Sequence, residues 1–342
     1  REPLPHLCSS VFICGFSLSL LGCLPAASAQ TMTTRITDAP ADARVLERTI
    51  DIRIEADGRM TRKERRIIEF LTDFAQEVYA DPVVVYDSAT QRLTIDVART
   101  TEPDGTVQDT PEIGINELSL PELMTAPAFA SVRETVVTHV GIHPGAKAEL
   151  AWTLEDTAPP PDGIAGGEIA LQWAIPIERF ELRVSVPDGV PFLSGTAGDV
   201  PRADVQSRDG RTEYVWRLEH LQAVNLFESP VHGDVQSGDP DGPRVSFSTQ
   251  PDLATVLRSM REVADAAAVP DDSIRAMVEE IRGEAPTSAQ WIEAAQAFVG
   301  GDLATVHLPP GLPFREPSVA GQVLRRSGGT ELEKAVLLTT VL

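Results

Sequence analysis

The sequence predicts a mainly β protein, in which an antiparallel β-sandwich is followed by an α-helical segment. Three observations support this fold class. Apolar and polar residues alternate with a period of two between residues 45 and 248, which is typical of strands with one buried and one solvated face. Asp-Gly turn signals separate the alternating stretches. After Ser248 the apolar residues change to helical spacing.

The alternating stretches are short, and each has one apolar face. In the first of them, Ile50, Ile52 and Ile54 alternate with Asp51 and Arg53. Many short strands joined by tight turns are typical of a sandwich. The predicted strands cover residues 50–56, 93–97, 146–154, 180–186 and 214–219.

Asp-Gly pairs mark the predicted turns, because Asp tolerates turn geometry and Gly readily adopts a positive φ. The pair at 57–58 directly follows an alternating stretch, which is a strong hairpin signal. Residues 157–168 and 230–243 are rich in proline and glycine and are predicted to be loops. Further Asp-Gly pairs occur at 104–105, 162–163, 188–189, 209–210 and 241–242.

Capping residues accompany the helical spacing. The cluster at 271–273 precedes one predicted helix, and Thr287 precedes another. The last helix ends in an uncapped apolar run at Leu342, so we expect the natural sequence to continue. The helices are predicted to begin at Leu253, Ile274, Ser288, Pro317 and Thr330.

The first 29 residues are interpreted as an incomplete signal peptide, since the chain opens with Arg1 rather than Met. The apolar run Val11–Leu24 is shorter than the roughly 20 residues that a membrane-spanning helix needs. It is followed by a small-x-small cleavage pattern at 27–29. An alternative is a lipoprotein anchored through Cys23, because residues 20–23 resemble a lipobox.

These features predict a periplasmic or secreted protein with three parts. Residues 1–29 form the signal peptide, residues 30–248 the β-sandwich domain and residues 249–342 the helical segment. No other segment is apolar over a sufficient length, so we expect no transmembrane segment after signal cleavage.

Composition excludes several classes of function. A net charge of -22 and a pI near 4.6 repel phosphate backbones, so no nucleic-acid partner is expected. The three cysteines, Cys8, Cys14 and Cys23, all lie in or beside the targeting segment. The mature chain therefore has no disulfide, no cysteine-ligated zinc and no cysteine nucleophile.

Motifs for cofactors and metals are missing as well. The sequence contains no phosphate loop, no dinucleotide-binding glycine pattern and no HExxH motif. His139 and His143 are four residues apart, but Pro144 and Gly145 predict a turn there, so the two do not share a helix face. We expect no cofactor and no metal. The remaining histidines considered, His220, His232 and His307, are predicted to lie on the surface or in loops.

Carbohydrate binding is an alternative that would depend on exposed aromatic side chains. Trp152, Trp173 and Trp216 are all predicted to lie in alternating strands. Such positions favour the core over a sugar-binding platform.

Three motifs, in this order, resemble an exported bacterial family across residues 45–250. They are the turn at 101–105 (TEPDG), the turn at 143–145 (HPG), and the strand that starts at 173–176 (WAIP) and ends at 186–187 (VP). Members of that family carry an N-terminal β-sandwich domain of unknown function in front of a transglutaminase-like domain of the papain-like superfamily.

The helical segment is similar to the opening of that second domain, "rP…evLrr…GDCxDKAxLL". The matching stretches are 315–317, 323–326 and 329–338. The resemblance implies an α+β domain whose nucleophile is a cysteine at a helix start, completed by a downstream histidine and aspartate. Glu331 occupies the cysteine position, Thr330 replaces the aspartate beside it, and the histidine and aspartate would lie beyond Leu342.

A carboxylate is a poor substitute for a thiolate in acyl transfer. Thr330 and Glu333 also have the spacing of a capping box, which explains this helix start structurally. Glu331 is thus a degenerate nucleophile position, no catalytic residue is predicted, and a non-enzymatic role is favoured.

Two functions follow from this interpretation. The favoured one is an exported envelope protein whose degenerate transglutaminase-like domain acts in binding or assembly with a peptide, a protein or a cell-wall component. The alternative is an active peptidase, amidase or acyltransferase whose catalytic residues lie beyond residue 342.

Overall fold

The computed structural model describes residues 41–224, 242–285 and 287–342. In this part of the chain strands are more abundant than helices, which confirms the mainly β class, and no barrel is formed. The predicted signal peptide and most of the predicted loop 230–243 lie outside the described residues. The strands are β1 (Ala43–Ile54), β2 (Met60–Phe70), β3 (Val83–Asp87), β4 (Gln91–Thr101), β5 (Val107–Asp109), β6 (Ile115–Ser119), β7 (Val132–Val137), β8 (Lys147–Asp156), β9 (Gly166–Ala170), β10 (Ile177–Pro187), β11 (Leu193–Ala197), β12 (Asp204–Arg208), β13 (Arg211–Leu221), β14 (Arg244–Ser248), β15 (Ala304–Thr305) and β16 (Gly328–Gly329).

The largest sheet has the order β12-β13-β10-β1-β2-β8-β4-β5. Its neighbouring strands are antiparallel except β1 and β10, which run parallel with Val45 beside Ile177. The antiparallel prediction is therefore corrected at this pair. Parallel neighbours require a long connection, and eight strands intervene between β1 and β10 in the chain. Alternation along a single strand carries no information about such a distant partner.

Two three-stranded sheets, β11-β14-β9 and β3-β7-β6, cover the same face of the large sheet. Ala148 and Trp152 are four residues apart in β8, so their side chains point to the same face of the sheet. Ala148 packs in the cluster that contains Phe247 of β14, whereas Trp152 packs in the cluster that contains Val84 of β3. The predicted sandwich thus consists of one large layer opposed by two small sheets.

The tryptophans of the sandwich belong to its core. Trp152 and Trp216 are buried. Trp173 is half-buried against the cluster that contains Trp216, and it lies in the segment before β10 rather than in a strand as predicted. The predicted core positions of Trp152 and Trp216 are confirmed. Their burial leaves no aromatic platform for a sugar at these two positions.

Arginines and carboxylates cover the outer face of the large sheet. Arg65 lies 2.6 Å from Glu149, and Arg217 lies 2.8 Å from Glu181 on a neighbouring strand. Arg217 and Glu181 are partly exposed, so their pair contributes about 0–1 kcal/mol. The outer face is therefore a solvated surface, and the sheet is held by its inner face.

A charged cluster lies at the centre of the inner face. Glu64 is fully buried, and its carboxylate accepts a hydrogen bond of 2.8 Å from Nε of Arg48 and pairs with Arg62. The guanidinium groups of Arg48, Arg62 and Arg66 lie over the rings of aromatic residues. Burial alone would raise the pKa of Glu64, but the three arginines hold that pKa below its ordinary value. Glu64 is the carboxylate around which these buried cations are arranged.

The Asp-Gly turns adopt the backbone that the sequence predicts. Asp209 and Gly210 have φ values of 54° and 74°, as a type I′ hairpin turn requires. Gly58 has a φ of 88°, and a Cβ atom added there would lie 2.5 Å from the carbonyl oxygen of Gly163. Two of the predicted turns therefore contact each other, and the close approach requires glycine at position 58.

The helical segment follows the predicted order. Asp271 and Thr287 cap helices as expected, their side chains accepting hydrogen bonds from the backbone. The helix predicted from Pro317 begins at Ala320 instead, because the backbone N–H of Ser318 donates to a carboxylate of another helix and the chain stays extended. The helices are α1 (Asp73–Tyr79), which was not predicted, α2 (Leu253–Ala267), α3 (Asp272–Glu284), α4 (Ser288–Ala297), α5 (Ala320–Arg325) and α6 (Glu331–Val341).

A separate apolar core holds α3, α4, α5 and α6 together. Ile274, Ala295, Val323 and Leu337 are almost completely buried in it, one from each helix. Among the described residues, no helix combines the length and the apolar character that crossing a bilayer demands.

Replacing Glu64 by Gln should destabilise the sandwich strongly, because the buried cluster would lose the carboxylate that pairs with Arg48 and Arg62. We expect the free energy of unfolding in urea to fall by about 3–5 kcal/mol. The matched control is Glu69→Gln, which breaks the partly exposed ion pair with Arg44 and should cost less than about 1 kcal/mol. Equal losses in the two variants would show that the buried cluster does not stabilise the sheet.

His139 should make the fold sensitive to acid. Burial lowers the pKa of His139 to about 4 from an ordinary value of 6.5, so its neutral form stabilises the fold above pH 6.5 and this stabilisation is lost as the pH falls towards 4. Between pH 7.5 and 4.5 the loss amounts to about 2.5 kcal/mol. Urea unfolding at both pH values should show this loss removed in His139→Gln and retained in His143→Gln, at an exposed histidine. An unchanged acid response in His139→Gln would contradict the assignment.

Candidate functional site

The candidate site is a cleft of about 370 Å³ at the start of α6. One wall comes from the strand-rich region before α2, which we call the β part, at Ala128 and Phe129 between β6 and β7. Another wall comes from the first turn of α6. The remaining lining is the segment that leads into α5. Its residues in the cleft are Leu308, Pro313, Phe314, Arg315, Glu316, Pro317 and Ser318.

The start of α6 is held by a complete capping box. The backbone N–H of Glu333 donates to Oγ1 of Thr330 at 3.3 Å, and the backbone N–H of Thr330 donates to Oε2 of Glu333 at 2.9 Å. The predicted capping box is therefore confirmed. Glu331 is the first residue of α6, which is where the sequence predicts it.

Glu331 lies beside a histidine from a distant part of the chain. Its Oε1 atom is 2.7 Å from Nδ1 of His307, and the two side chains are 65% and 80% exposed. The exposed position of His307 agrees with the sequence prediction. The pairing itself was missed, because 23 residues separate the two and no motif links them.

Glu333 carries the internal charge of the site. It pairs with Arg326 and accepts the 3.0 Å hydrogen bond from the backbone N–H of Ser318. Burial would raise the pKa of Glu333, but the hydrogen bonds from Arg326, Thr330 and Ser318 hold it below its ordinary value. Glu333 is thus engaged in the structure and is not available to a ligand.

Lys334 is buried directly behind the cleft wall. Its Nζ donates to the carbonyl oxygen of Leu303 and to Oγ1 of Thr305, both at 2.8 Å, and to the carbonyl oxygen of Gly300 at 3.2 Å. These bonds anchor the first turn of α6 to β15 and to the segment that precedes it. They use all three ammonium donors, so Lys334 fixes the helix rather than lining the cleft.

Phe129 joins the β part to the helical segment. The guanidinium carbons of Arg315 and Arg326 lie 5.5 and 5.3 Å from its ring centroid. Arg315 also pairs with the buried Asp87 and donates to Oγ of Ser131 at 3.0 Å. We call this set of contacts the Phe129 contact. It fixes one wall of the cleft against the other.

The chemistry available to this site is limited. The sequence has no cysteine after Cys23, so the start of α6 presents the carboxylate of Glu331 and no sulfur nucleophile. No group of three or more potential metal ligands occurs among the residues that the structure describes. His139 is buried and His143 is exposed beside Glu102, so the structure does not bring these two together as a metal site. A carboxylate beside an imidazole can bind a cation or accept hydrogen bonds.

This architecture is that of a β-sandwich domain continued by a helical segment. Residues 56–225 match the family described as "Domain of Unknown Function with solved-structure structure (DUF3857)". This part of the chain is therefore a DUF3857 domain, which confirms the resemblance to a domain of unknown function. The similarity of residues 249–342 to a transglutaminase-like domain stays a prediction, since the family match ends before them.

A crystal structure of a candidate protease from Parabacteroides distasonis has a similar fold, with a TM-score of 0.76, 23% identity and coverage of 88% of this chain. The chain spans 58% of the length of that protein. An M1 zinc metallopeptidase from Deinococcus radiodurans overlaps 52% of this chain and 39% of its own, with 11% identity and a TM-score of 0.27, too low to carry an argument. No curated protein matches the chain.

Truncating Phe129 should loosen the attachment of the helical segment to the β part. Phe129→Ala removes a buried ring and two cation–π contacts, so we expect the free energy of unfolding to fall by about 3–5 kcal/mol. The control Phe74→Ala alters a phenylalanine that is 59% exposed and should cost about 0.5 kcal/mol or less. Chemical denaturation followed by circular dichroism measures both. Similar losses would show that the Phe129 contact is not important for stability.

Proposed function

We propose that this chain is part of an exported cell-envelope protein that binds a peptide or protein segment in the cleft at the start of α6. The observation that carries the proposal is the helix start itself. Its capping is complete without Glu331, and Glu331 stands at the mouth of an open cleft where the family resemblance implies a cysteine. The cleft can hold a ligand, but the helix start has no cysteine that could act as a nucleophile.

The proposed compartment rests on the sequence. The apolar run Val11–Leu24 and the small residues at 27–29 support export. The periplasm or the medium is the proposed location, with anchoring through a lipidated Cys23 as the alternative. Release from spheroplasts and N-terminal sequencing of the mature protein distinguish these cases.

The size and lining of the cleft suit a short segment of chain. Ligand sites in proteins typically enclose about 300–1,000 Å³ and combine apolar walls with a few polar groups. Here Phe314 and Leu332 supply apolar surface, whereas Glu316, Ser318 and Glu331 supply polar groups. An extended peptide has the matching mixture of apolar side chains and backbone amides.

A second candidate is an active peptidase or acyltransferase whose nucleophile lies beyond residue 342. It is favoured by the fold shared with the candidate protease from Parabacteroides distasonis, of which the chain spans 58%. In that case the cleft would hold substrate while residues outside this chain perform the reaction. Glu331 would again help to bind the substrate and would not act as the nucleophile.

Peptide binding and turnover can be measured together on the full-length protein. We expect a library of fluorescein-labelled peptides to contain binders whose affinity drops at least tenfold in Leu332→Arg, which places a bulky cation in the cleft, but not in the control Val205→Arg on an exposed edge strand. We expect no amidase or transglutaminase turnover that depends on Glu331. Turnover abolished by Glu331→Ala would overturn the proposal, and so would binding that is unaffected by Leu332→Arg.

A further inference from the structure

The charges that line the cleft are unequally available to a ligand. The cation Arg315 is engaged by Asp87 and Ser131, and the carboxylate of Glu333 is engaged by Arg326 and two backbone N–H groups. Glu316 forms no ion pair with the described residues, and Glu331 contacts only the exposed His307 among them. Among the described residues that line the cleft, two carboxylates therefore remain for a ligand, and no cation does.

An anionic ligand is disfavoured at the same place. A helix start commonly binds anions through its unpaired N–H groups, but at α6 the backbone N–H of Glu333 already donates to Thr330. The first turn of α6 also carries the carboxylates of Glu331 and Glu333, which repel an external anion. A net charge of -22 adds a long-range repulsion.

The apolar lining of the cleft is suited to an aliphatic chain. Leu308, Pro313 and Pro317 are half-buried, and Phe314 is partly exposed. Lysine and arginine side chains combine an apolar stem with a charged end and commonly lay the stem along such surface. A site that offers both an apolar wall and carboxylates matches both halves of these side chains.

We propose that the cleft selects peptide segments that carry a lysine or arginine side chain, with the cationic end bound by Glu316 and Glu331 and the stem packed on Leu308 and Phe314. This inference rests on the proposed peptide-binding function and adds the recognised group. His307 would compete with the ligand for Glu331, so its removal should not weaken binding. Basic segments of an envelope protein are the corresponding class of partner.

The test compares matched peptides on the full chain by fluorescence anisotropy. The probes are fluorescein-labelled Ala-Ala-Lys-Ala-Ala and the same peptide with norleucine or acetyl-lysine in place of lysine. We expect the lysine peptide to bind at least tenfold more tightly than either analogue. The double variant Glu316→Gln/Glu331→Gln should remove this preference, whereas Glu112→Gln/Glu219→Gln, which removes the same charge from exposed sites elsewhere, should retain it.

The outcomes separate this inference from the function on which it rests. Equal binding of the three peptides, with binding still abolished by Leu332→Arg, would show that the cleft binds peptides without recognising a cationic side chain. In that case only the inference is wrong. If the control double variant loses the preference as strongly as the cleft variant, the protein attracts cations through its overall charge, which also overturns the inference. If no peptide binds, both the inference and the proposed function are wrong.

Discussion

The Phe129 contact is the interaction on which the arrangement of the candidate site depends. Phe129 comes from the connection between β6 and β7, whereas Arg315 precedes α5 and Arg326 follows it. Because both guanidinium groups lie over one ring, the two ends of α5 are fixed to the same point of the β part. Apolar residues from both sides pack around it, among them Leu120 and Leu312. The cleft is the space that these fixed walls leave open.

Each arginine of this contact also needs a carboxylate, because burying a cation without a partner costs several kcal/mol. Arg315 forms an ion pair with Asp87 at the end of β3, and Arg326 forms one with Glu333 in α6. The same carboxylate of Glu333 accepts the N–H of Ser318, which keeps the chain extended before α5. One set of charges thus determines where α5 begins, how α6 is capped and how both are attached to the sandwich.

Local features of the chain were predictable from the sequence, and distant pairings were not. Alternation located strands such as β1 and β10, and the caps at Asp271, Thr287 and Thr330 located helix starts, because each depends on neighbours within a few residues. The parallel pairing of β1 with β10 depends on the whole chain between them.

The same limit applies to the site. Glu331 could be singled out from its place at a helix start, but its contact with His307 and the approach of Phe129 to Arg315 require the folded structure. Short α1 was missed for a related reason. It has only seven residues, and a helix of that length depends on packing against the sheet rather than on its own propensity.

We propose Glu331 as a ligand-binding residue because the fold does not need its side chain. Thr330 and Glu333 satisfy each other at the helix start, Lys334 anchors that turn from behind, and Glu333 supplies the buried charge that Arg326 needs. Glu331 takes part in none of these interactions and remains mostly exposed. A carboxylate near a helix N-terminus is stabilised by the dipole, so Glu331 can remain there with the exposed His307 as its ion-pair partner. The fold therefore holds Glu331 at the mouth of the cleft while leaving its side chain available for binding.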